Sequence, residues 1–305
     1  MKIVLLDGHT INPGDLSWKK LADLCDEFVV YERTPTELVQ ERMGDCDVLM
    51  TSKCFITREL MEHAPNLKYI GVTATGYNNI DIEAARDLGI AVTNIPAYST
   101  ESVAQHTIAL MLELTNRTGL HNDSVQAGDW TNAEDFCYWK TPMFLLNGKS
   151  LGIVGYGSIG RRVARIAEAL GMTVNVYSKD RQAAVTSDIV SLHCPLTAEN
   201  TKMINADFIE EMKPGAFLIN TARGGLIDEE ALAAAVRSGR LAGAAMDVLS
   251  AEPAAADNPL LGVDNIIITP HIAWTPQEMR QLIIDILADN LVDWQAGGTL
   301  NRVEL

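Results

Sequence analysis

The run Gly155-Tyr156-Gly157-Ser158-Ile159-Gly160 has the GxGxxG spacing that lets a backbone approach phosphate closely. It leaves an apolar strand, LGIVG. It enters a helix on which Ile159, Val163, Ile166, Ala167 and Leu170 share one face, and Gly171 closes that helix. Gly155 allows the tight turn, Gly157 the close approach of a pyrophosphate, and Gly160 the packing of helix on strand. Ser158 and Ile159 open the helix, whose free N–H groups and positive dipole end suit a dinucleotide's phosphates. A plain tight turn carries such glycines too, but the strand–turn–helix context points to dinucleotide binding.

The end of the next strand selects between dinucleotides. An acidic residue there accepts hydrogen bonds from the ribose and selects NAD. Here that position is Ser178, followed by Lys179, Asp180 and Arg181. Serine removes the charge that would repel a 2′-phosphate. Lys179 and Arg181, with Arg161 or Arg162 on the preceding helix, offer cations to pair with one. NADP(H) is the preferred reading; the alternative is that Asp180 turns in to serve NAD while the cations face solvent.

These residues need sheets to hold them. KIVLL (2–6), FVVYE (28–32), DVLMT (47–51), KYIGVT (68–73) and IAVTN (90–94) read as buried strands separated by amphipathic segments at 57–64 and 82–89. A longer helix opens at Thr100, with Ala104, Ile108, Met111 and Leu112 on one face. An irregular aromatic stretch follows: Trp130, Phe136, Tyr138, Trp139 and Phe144. The pattern restarts with strands at 150–155, 173–177, 188–194, 216–220, 242–248 and 265–269. A capping box, Thr275 to Glu278 with Pro276 at the first helical position, opens the last helix. Alternating strands and helices mean α/β architecture: two Rossmann-like, doubly wound parallel-sheet domains, with the active site expected in the cleft between them.

At 305 residues with 47% hydrophobic content, the chain can fill two cores. A net charge of −16 with no basic run excludes nucleic acid and acidic membrane surfaces as general partners. Five scattered cysteines without a CxxC pair, and an N-terminus unlike a signal peptide, suit free thiols in the cytoplasm; no metal is implied.

Downstream of the glycine turn the residues become specific. NTARGGLIDEEAL (220–232), AMDVLSAEP (245–253), TPHIAW (269–274), ATGYNNID (74–81) and ESVAQHTIALML (101–112) closely resemble the D-isomer-specific 2-hydroxyacid dehydrogenase family. Within it, the resemblance is greatest to members of the glycerate dehydrogenase and hydroxypyruvate reductase type. It implies a substrate domain from 1–98 plus 273–305 and an inserted dinucleotide domain at 99–272. It implies Arg223, Glu252 and His271 as catalytic residues. Reducing a 2-keto acid needs a clamp for the carboxylate, which an arginine fork supplies. It needs a proton for the carbonyl oxygen, which a histidine oriented by a carboxylate supplies. The resemblance places Asp247 at the nicotinamide carboxamide, with Cys194, Pro195, Thr221 and Ala222 lining the nicotinamide side. It places the amides of Thr75 and Gly76 at the substrate carboxylate. Lys53 is a candidate for added positive charge in the pocket, with a solvated loop lysine as the equal alternative, and His193 reads as structural. Gln105, before His106, departs from the family's usual acid and is expected to alter supporting hydrogen bonds only.

The implied reaction interconverts a small 2-keto acid and its D-2-hydroxy acid, hydroxypyruvate/D-glycerate or glyoxylate/glycolate first. A dinucleotide-sensing corepressor is the alternative on this scaffold. Family members dimerise through the helix after Thr100 and the aromatic stretch, so a homodimer is expected, with Trp139 reaching a neighbour's site. One feature is anomalous: only residues 178–187 separate Ser178 from strand DIVSLHC, near the minimum for a parallel crossover. The family fits a further short strand and helix there. Either that unit is absent from this chain or a mobile loop is left out of the sequence as read.

Overall fold

The apolar runs form eleven strands in two sheets, parallel throughout, in a computed structural model that describes all 305 residues. In the first sheet β1 (Lys2–Leu5), β2 (Glu27–Val30), β3 (Val48–Thr51), β4 (Tyr69–Val72) and β5 (Ala91–Thr93) lie in the order β2-β1-β3-β4-β5. In the second, β6 (Ser150–Val154), β7 (Thr173–Val176), β8 (Ile189–Leu192), β9 (Ala216–Asn220), β10 (Leu241–Met246) and β11 (Ile266–Ile268) lie in the order β11-β10-β9-β8-β6-β7. Helices cover both faces of such sheets, so β3, β4, β8 and β9 are buried along their whole length. This is why they read as continuous apolar runs without alternation.

The chain divides into two compact units, Met1–Ser99 with Thr275–Leu305, and Thr100–Trp274. In the first unit, the helix Gln277–Gln295 brings the chain back: Trp294 packs on Tyr69 with ring centroids 5.1 Å apart, and Asn290 donates to the Asn94 carbonyl at 3.0 Å. This helix begins one residue later than the capping box predicts. Pro276, with ψ near 144°, is itself the cap and makes no side-chain capping bond.

In the second unit, the helix Thr100–Asn116 buries Ala104, Ile108, Met111 and Leu114 against Leu151, Ile153 and Val163 of its own domain. The apolar face expected at a dimer contact therefore belongs to the core. Phe144 likewise turns inward, edge-on to Phe217 at 5.6 Å.

The short crossover is continuous. After β7, Tyr177, Ser178 and Lys179 turn; Asp180 caps a five-residue helix, Arg181–Val185, by accepting from Ala183 at 3.0 Å. The helix then meets β8. Its Ala184 carbonyl lies against β6 at Gly152, where a Cβ would stand 2.0 Å from that oxygen. The dinucleotide fold usually runs 3-2-1-4-5-6. With β6 as strand 1, β7 as strand 2 and β8 as strand 4, the outermost strand 3 is absent, and β7 is the sheet edge.

Candidate active site

The crevice of a doubly wound sheet opens where neighbouring strands send the chain in opposite directions, at their carboxyl ends. In the second unit that point lies between β6 and β8. Gly155 sits there with φ of 97°, and a Cβ on it would lie 2.5 Å from the backbone of His193 and Cys194. Gly160 has its own constraint: a Cβ would stand 2.1 Å from the Gly155 carbonyl. Gly157 instead faces open space, with nothing within 4 Å of its missing Cβ. That is the cradle a pyrophosphate requires. Gly157 caps the helix Ser158–Ala169 without any side-chain capping bond, so the first-turn amides of Ser158, Ile159 and Gly160 remain available to an anion. The residues present therefore fit a dinucleotide.

The cations near this turn divide into two groups. Arg181 makes two bonds to Glu211, donates to the Tyr177 hydroxyl at 3.2 Å, and lies over the Tyr177 and Phe208 rings. Arg162 pairs with Glu101 at 2.7 Å. Lys179 has no carboxylate partner; its Nζ lies 5.5 Å from the ring centre of Tyr156, inside the glycine turn. Arg161 donates to the Tyr156 carbonyl at 3.3 Å. Arg181, expected beside the cofactor, is thus held by Glu211, while Lys179 and Arg161 stand at the turn.

After β9, Asn220 shapes the next turn from within the core. It is fully buried, accepts from the Ala222 amide at 2.9 Å and donates to the Arg223 carbonyl at 2.9 Å. Arg223 is exposed, has no carboxylate partner, and donates to the Ala222 carbonyl at 2.7 Å. Gly224 follows because a Cβ would lie 1.9 Å from the Leu249 carbonyl carbon and 2.4 Å from the Ser250 nitrogen. The Arg223 turn is thereby pressed directly against the turn that leads to Glu252.

Glu252 accepts from the Leu249 amide at 3.0 Å through one oxygen and meets His271 Nδ1 at 2.6 Å through the other. The carboxylate leaves Nδ1 as donor, so the neutral ring carries its proton there. Nε2 has no protein partner and is available to a reacting oxygen. The ring is aimed by its backbone: His271 has φ of 55°, a conformation rare for a residue with a Cβ, and its amide donates to the Asp247 carbonyl at 2.8 Å.

The Asp247 carboxylate, 1% exposed, reinforces that turn. It accepts from Thr269 Oγ1 at 2.6 Å, from the Ile272 amide at 2.9 Å and from the Ala273 amide at 2.9 Å; His106 Nε2 lies at 3.4 Å. Burial pushes its pKa up, but hydrogen bonds from His106, Thr269 and the two amides outweigh this and hold it below the ordinary range. Asp247, expected at the nicotinamide carboxamide, is thus occupied with holding the turn that carries His271. Gln105 is exposed, and its neighbour His106 faces the acid.

The remaining expected positions fall as follows. His193 bonds Ser191 Oγ at 2.9 Å, and burial lowers its pKa to about 4, so it stays neutral. Burial raises the Cys194 thiol, which keeps it protonated; Pro195 follows, exposed. The Thr221 hydroxyl bonds that of Thr107 at 2.8 Å, and Ala222 is partly buried against the core. In the first unit, buried Asp7 accepts from Thr51 Oγ1 at 2.8 Å and from the Lys53 amide at 2.6 Å, fixing the turn from which the Lys53 side chain projects without an ion-pair partner. The Thr75 hydroxyl donates to the Ile95 carbonyl at 2.7 Å; the amides of Thr75 and Gly76 donate to no protein acceptor. Trp139 is 66% exposed. No helix is long and apolar enough to cross a membrane.

The profile of the D-isomer specific 2-hydroxyacid dehydrogenase NAD binding domain matches residues 108–273. A hydroxypyruvate reductase of Blautia hydrogenotrophica is 44% identical over an alignment of 321 positions, gaps included, covering 99% of each chain. The chain belongs to the D-isomer specific 2-hydroxyacid dehydrogenase family. A glycerate dehydrogenase of Methylorubrum extorquens is 40% identical over an alignment of 315 positions, again covering 99% of both chains. The D-lactate dehydrogenase of Aquifex aeolicus, solved with NAD and lactic acid, superposes with a TM-score of 0.83 at 29% identity, covering 100% of this chain and 99% of its own. This family member is a nicotinamide-dependent oxidoreductase of 2-hydroxy acids. Nothing among these relatives supports the corepressor reading.

Replacing Asp247 by Asn puts an N–H₂ group against backbone donors and removes a buried charge they satisfy. Such a loss costs on the order of 1.5–3 kcal/mol, to be read as a lower urea midpoint. The folded pKa is depressed, so the carboxylate's contribution is complete above the ordinary value of 3.8 and fades as pH falls through the lower folded value. The stability gap between the two proteins is expected to narrow below pH 3.8. An unchanged midpoint near neutral pH would contradict the clamp.

Proposed function

We propose that this dehydrogenase reduces a small, polar 2-keto acid, hydroxypyruvate or glyoxylate first, to the D-2-hydroxy acid with NADPH. The observation that carries the reading is the His271 ring, bonded through Nδ1 to Glu252 at 2.6 Å with Nε2 left open. In reduction, Nε2–H of the protonated ring gives its proton to the carbonyl oxygen; in oxidation the neutral Nε2 takes it back. Glu252 holds the orientation in both directions and stabilises the imidazolium. Arg223, exposed and bonded only to the Ala222 carbonyl, binds the substrate carboxylate as a fork. The amides of Thr75 and Gly76 and the Lys53 ammonium are assigned to substrate binding by family resemblance, as are Cys194, Pro195, Thr221 and Ala222 to the nicotinamide side. When bound, the dinucleotide supplies the hydride that adds to the carbonyl carbon. The substrate choice is supported by the names of the two relatives at 44% and 40% identity.

The preference for NADPH rests on Ser178 at the end of β7 and Lys179 at the glycine turn, joined by Arg161. Arg181 contributes only where Glu211 releases it. A homodimer is supported by the exposed apolar surface of the irregular stretch: Phe136 at 88%, Leu145 at 73%, Trp139 at 66% and Met143 at 61% exposure. Four large apolar side chains exposed in so short a stretch suit a surface that a partner covers, and by resemblance Trp139 reaches the neighbour's substrate.

The decisive assay follows NADPH absorbance with hydroxypyruvate. His271→Ala is expected to lower kcat by about 10²- to 10⁴-fold, and Arg223→Ala to damage both KM and kcat. Near-normal turnover by either variant, or a preference for phenylpyruvate, would overturn the assignment. For the cofactor, Ser178→Asp is expected to move kcat/KM toward NADH by adding a ribose acceptor and repelling the 2′-phosphate. A wild-type enzyme that already prefers NADH about tenfold, some 1.4 kcal/mol, refutes the charge argument.

A further inference from the structure

Glu229 is the first residue of the helix Glu229–Arg237, and only 8% of it is exposed. A buried carboxylate is costly unless donors surround it. Here the donors come from one segment. The Ser250 amide donates to one oxygen at 2.7 Å; the Ser250 hydroxyl and Asn258 Nδ2 donate to the other at 2.8 and 2.9 Å. Asn258 is itself oriented, because its oxygen accepts from the Leu260 amide at 3.0 Å. Ser250 lies inside the turn that Glu252 closes on the Leu249 amide. On the other side, Glu229 follows directly on the Arg223 turn, whose Gly224 abuts Leu249 and Ser250.

We infer that Glu229 is a positioning residue that sets Glu252, and through it His271, against the Arg223 turn. The bonds run from Glu229 to Ser250, across the Leu249–Glu252 turn, and from Glu252 to His271. Without Glu229, Ser250 and Asn258 lose their common acceptor, and Glu252 loses the turn that aims it. The inference rests on the assignment of Glu252 and His271 made above. A carboxylate suits the position better than an amide, because three donors converge on two oxygens. Glutamine keeps the acceptor for the Ser250 amide but opposes its own N–H₂ to Asn258.

The experiment is a double-mutant cycle on kcat for hydroxypyruvate reduction, with cofactor affinity followed separately by fluorescence titration. Glu229→Ala is expected to lower kcat about tenfold with cofactor affinity unchanged, and Glu229→Gln to recover part of the loss through the acceptor it keeps for the Ser250 amide. In a Glu252→Gln background, already slow, Glu229→Ala is expected to change kcat by less than about twofold. Losses that multiply across the cycle, or a Glu229→Ala enzyme at wild-type rate, overturn the inference alone. Wild-type turnover by Glu252→Gln overturns the site assignment and the inference with it. Where Glu229→Ala fails to fold, Ser250→Ala at an exposed position serves instead. It is expected to show a smaller kcat loss that disappears in the Glu252→Gln background; a loss that persists there overturns the inference.

Discussion

A single short contact, 2.6 Å between Glu252 and His271 Nδ1, is what the turns around the site are built to hold. It fixes which ring nitrogen carries the proton and leaves the other open to substrate. An imidazole does this work only if it cannot swing away, so its backbone must be held as firmly as its ring. Asp247 supplies that hold from below the loop, through its main-chain carbonyl and both carboxylate oxygens. The left-handed φ of His271 is a strained state for a residue with a Cβ. It persists because the surrounding bonds outweigh a cost of roughly 1–3 kcal/mol.

The same device recurs through the molecule. Buried acids or amides at strand ends collect backbone donors and so turn flexible connections into rigid ones. Asp7 does this after β1 and β3, and Asn220 after β9. Glycines supply the complement, since they let two turns touch where a side chain would separate them. Gly155 against His193 and Gly224 against Leu249 are the two approaches on which the dinucleotide turn and the catalytic turns depend. The strongly acidic composition therefore has two parts: a solvated surface, and a few buried carboxylates whose donors come from the main chain.

Much of this was legible in the residues. Strands such as AFLIN and KIVLL are continuous apolar runs, and a doubly wound parallel sheet buries both faces of each strand, so their pattern alone points to the architecture. The glycine turn and the motifs around Arg223, Glu252 and His271 were equally plain. What escaped was the use of side chains that bond to distant backbone. The sequence does not show that Asp247 also collects the Ile272 and Ala273 amides and so braces the turn that carries His271. Nor does it show that Arg181 is paired with Glu211, thirty positions along the chain. Glu229 stands among three consecutive acids in IDEEAL, and nothing local distinguishes it from Asp228, which caps the helix, or from exposed Glu230. The apolar stripe of the Thr100–Asn116 helix does not state which surface it meets; Ala104, Ile108 and Met111 pack into the core of their own domain. The short crossover was visible as a length anomaly; only packing shows that a five-residue helix against Gly152 closes it with strand 3 absent.

The pairing of Glu252 with His271 is tested most directly by nitrogen-15 NMR of the histidine rings, with the His271 signals assigned by their absence from a His271→Gln protein. The neutral ring is expected to carry its proton on Nδ1, with Nε2 showing the shift of an unprotonated nitrogen. A neutral His271 protonated on Nε2 would mean that Glu252 does not accept from Nδ1, and would contradict the account.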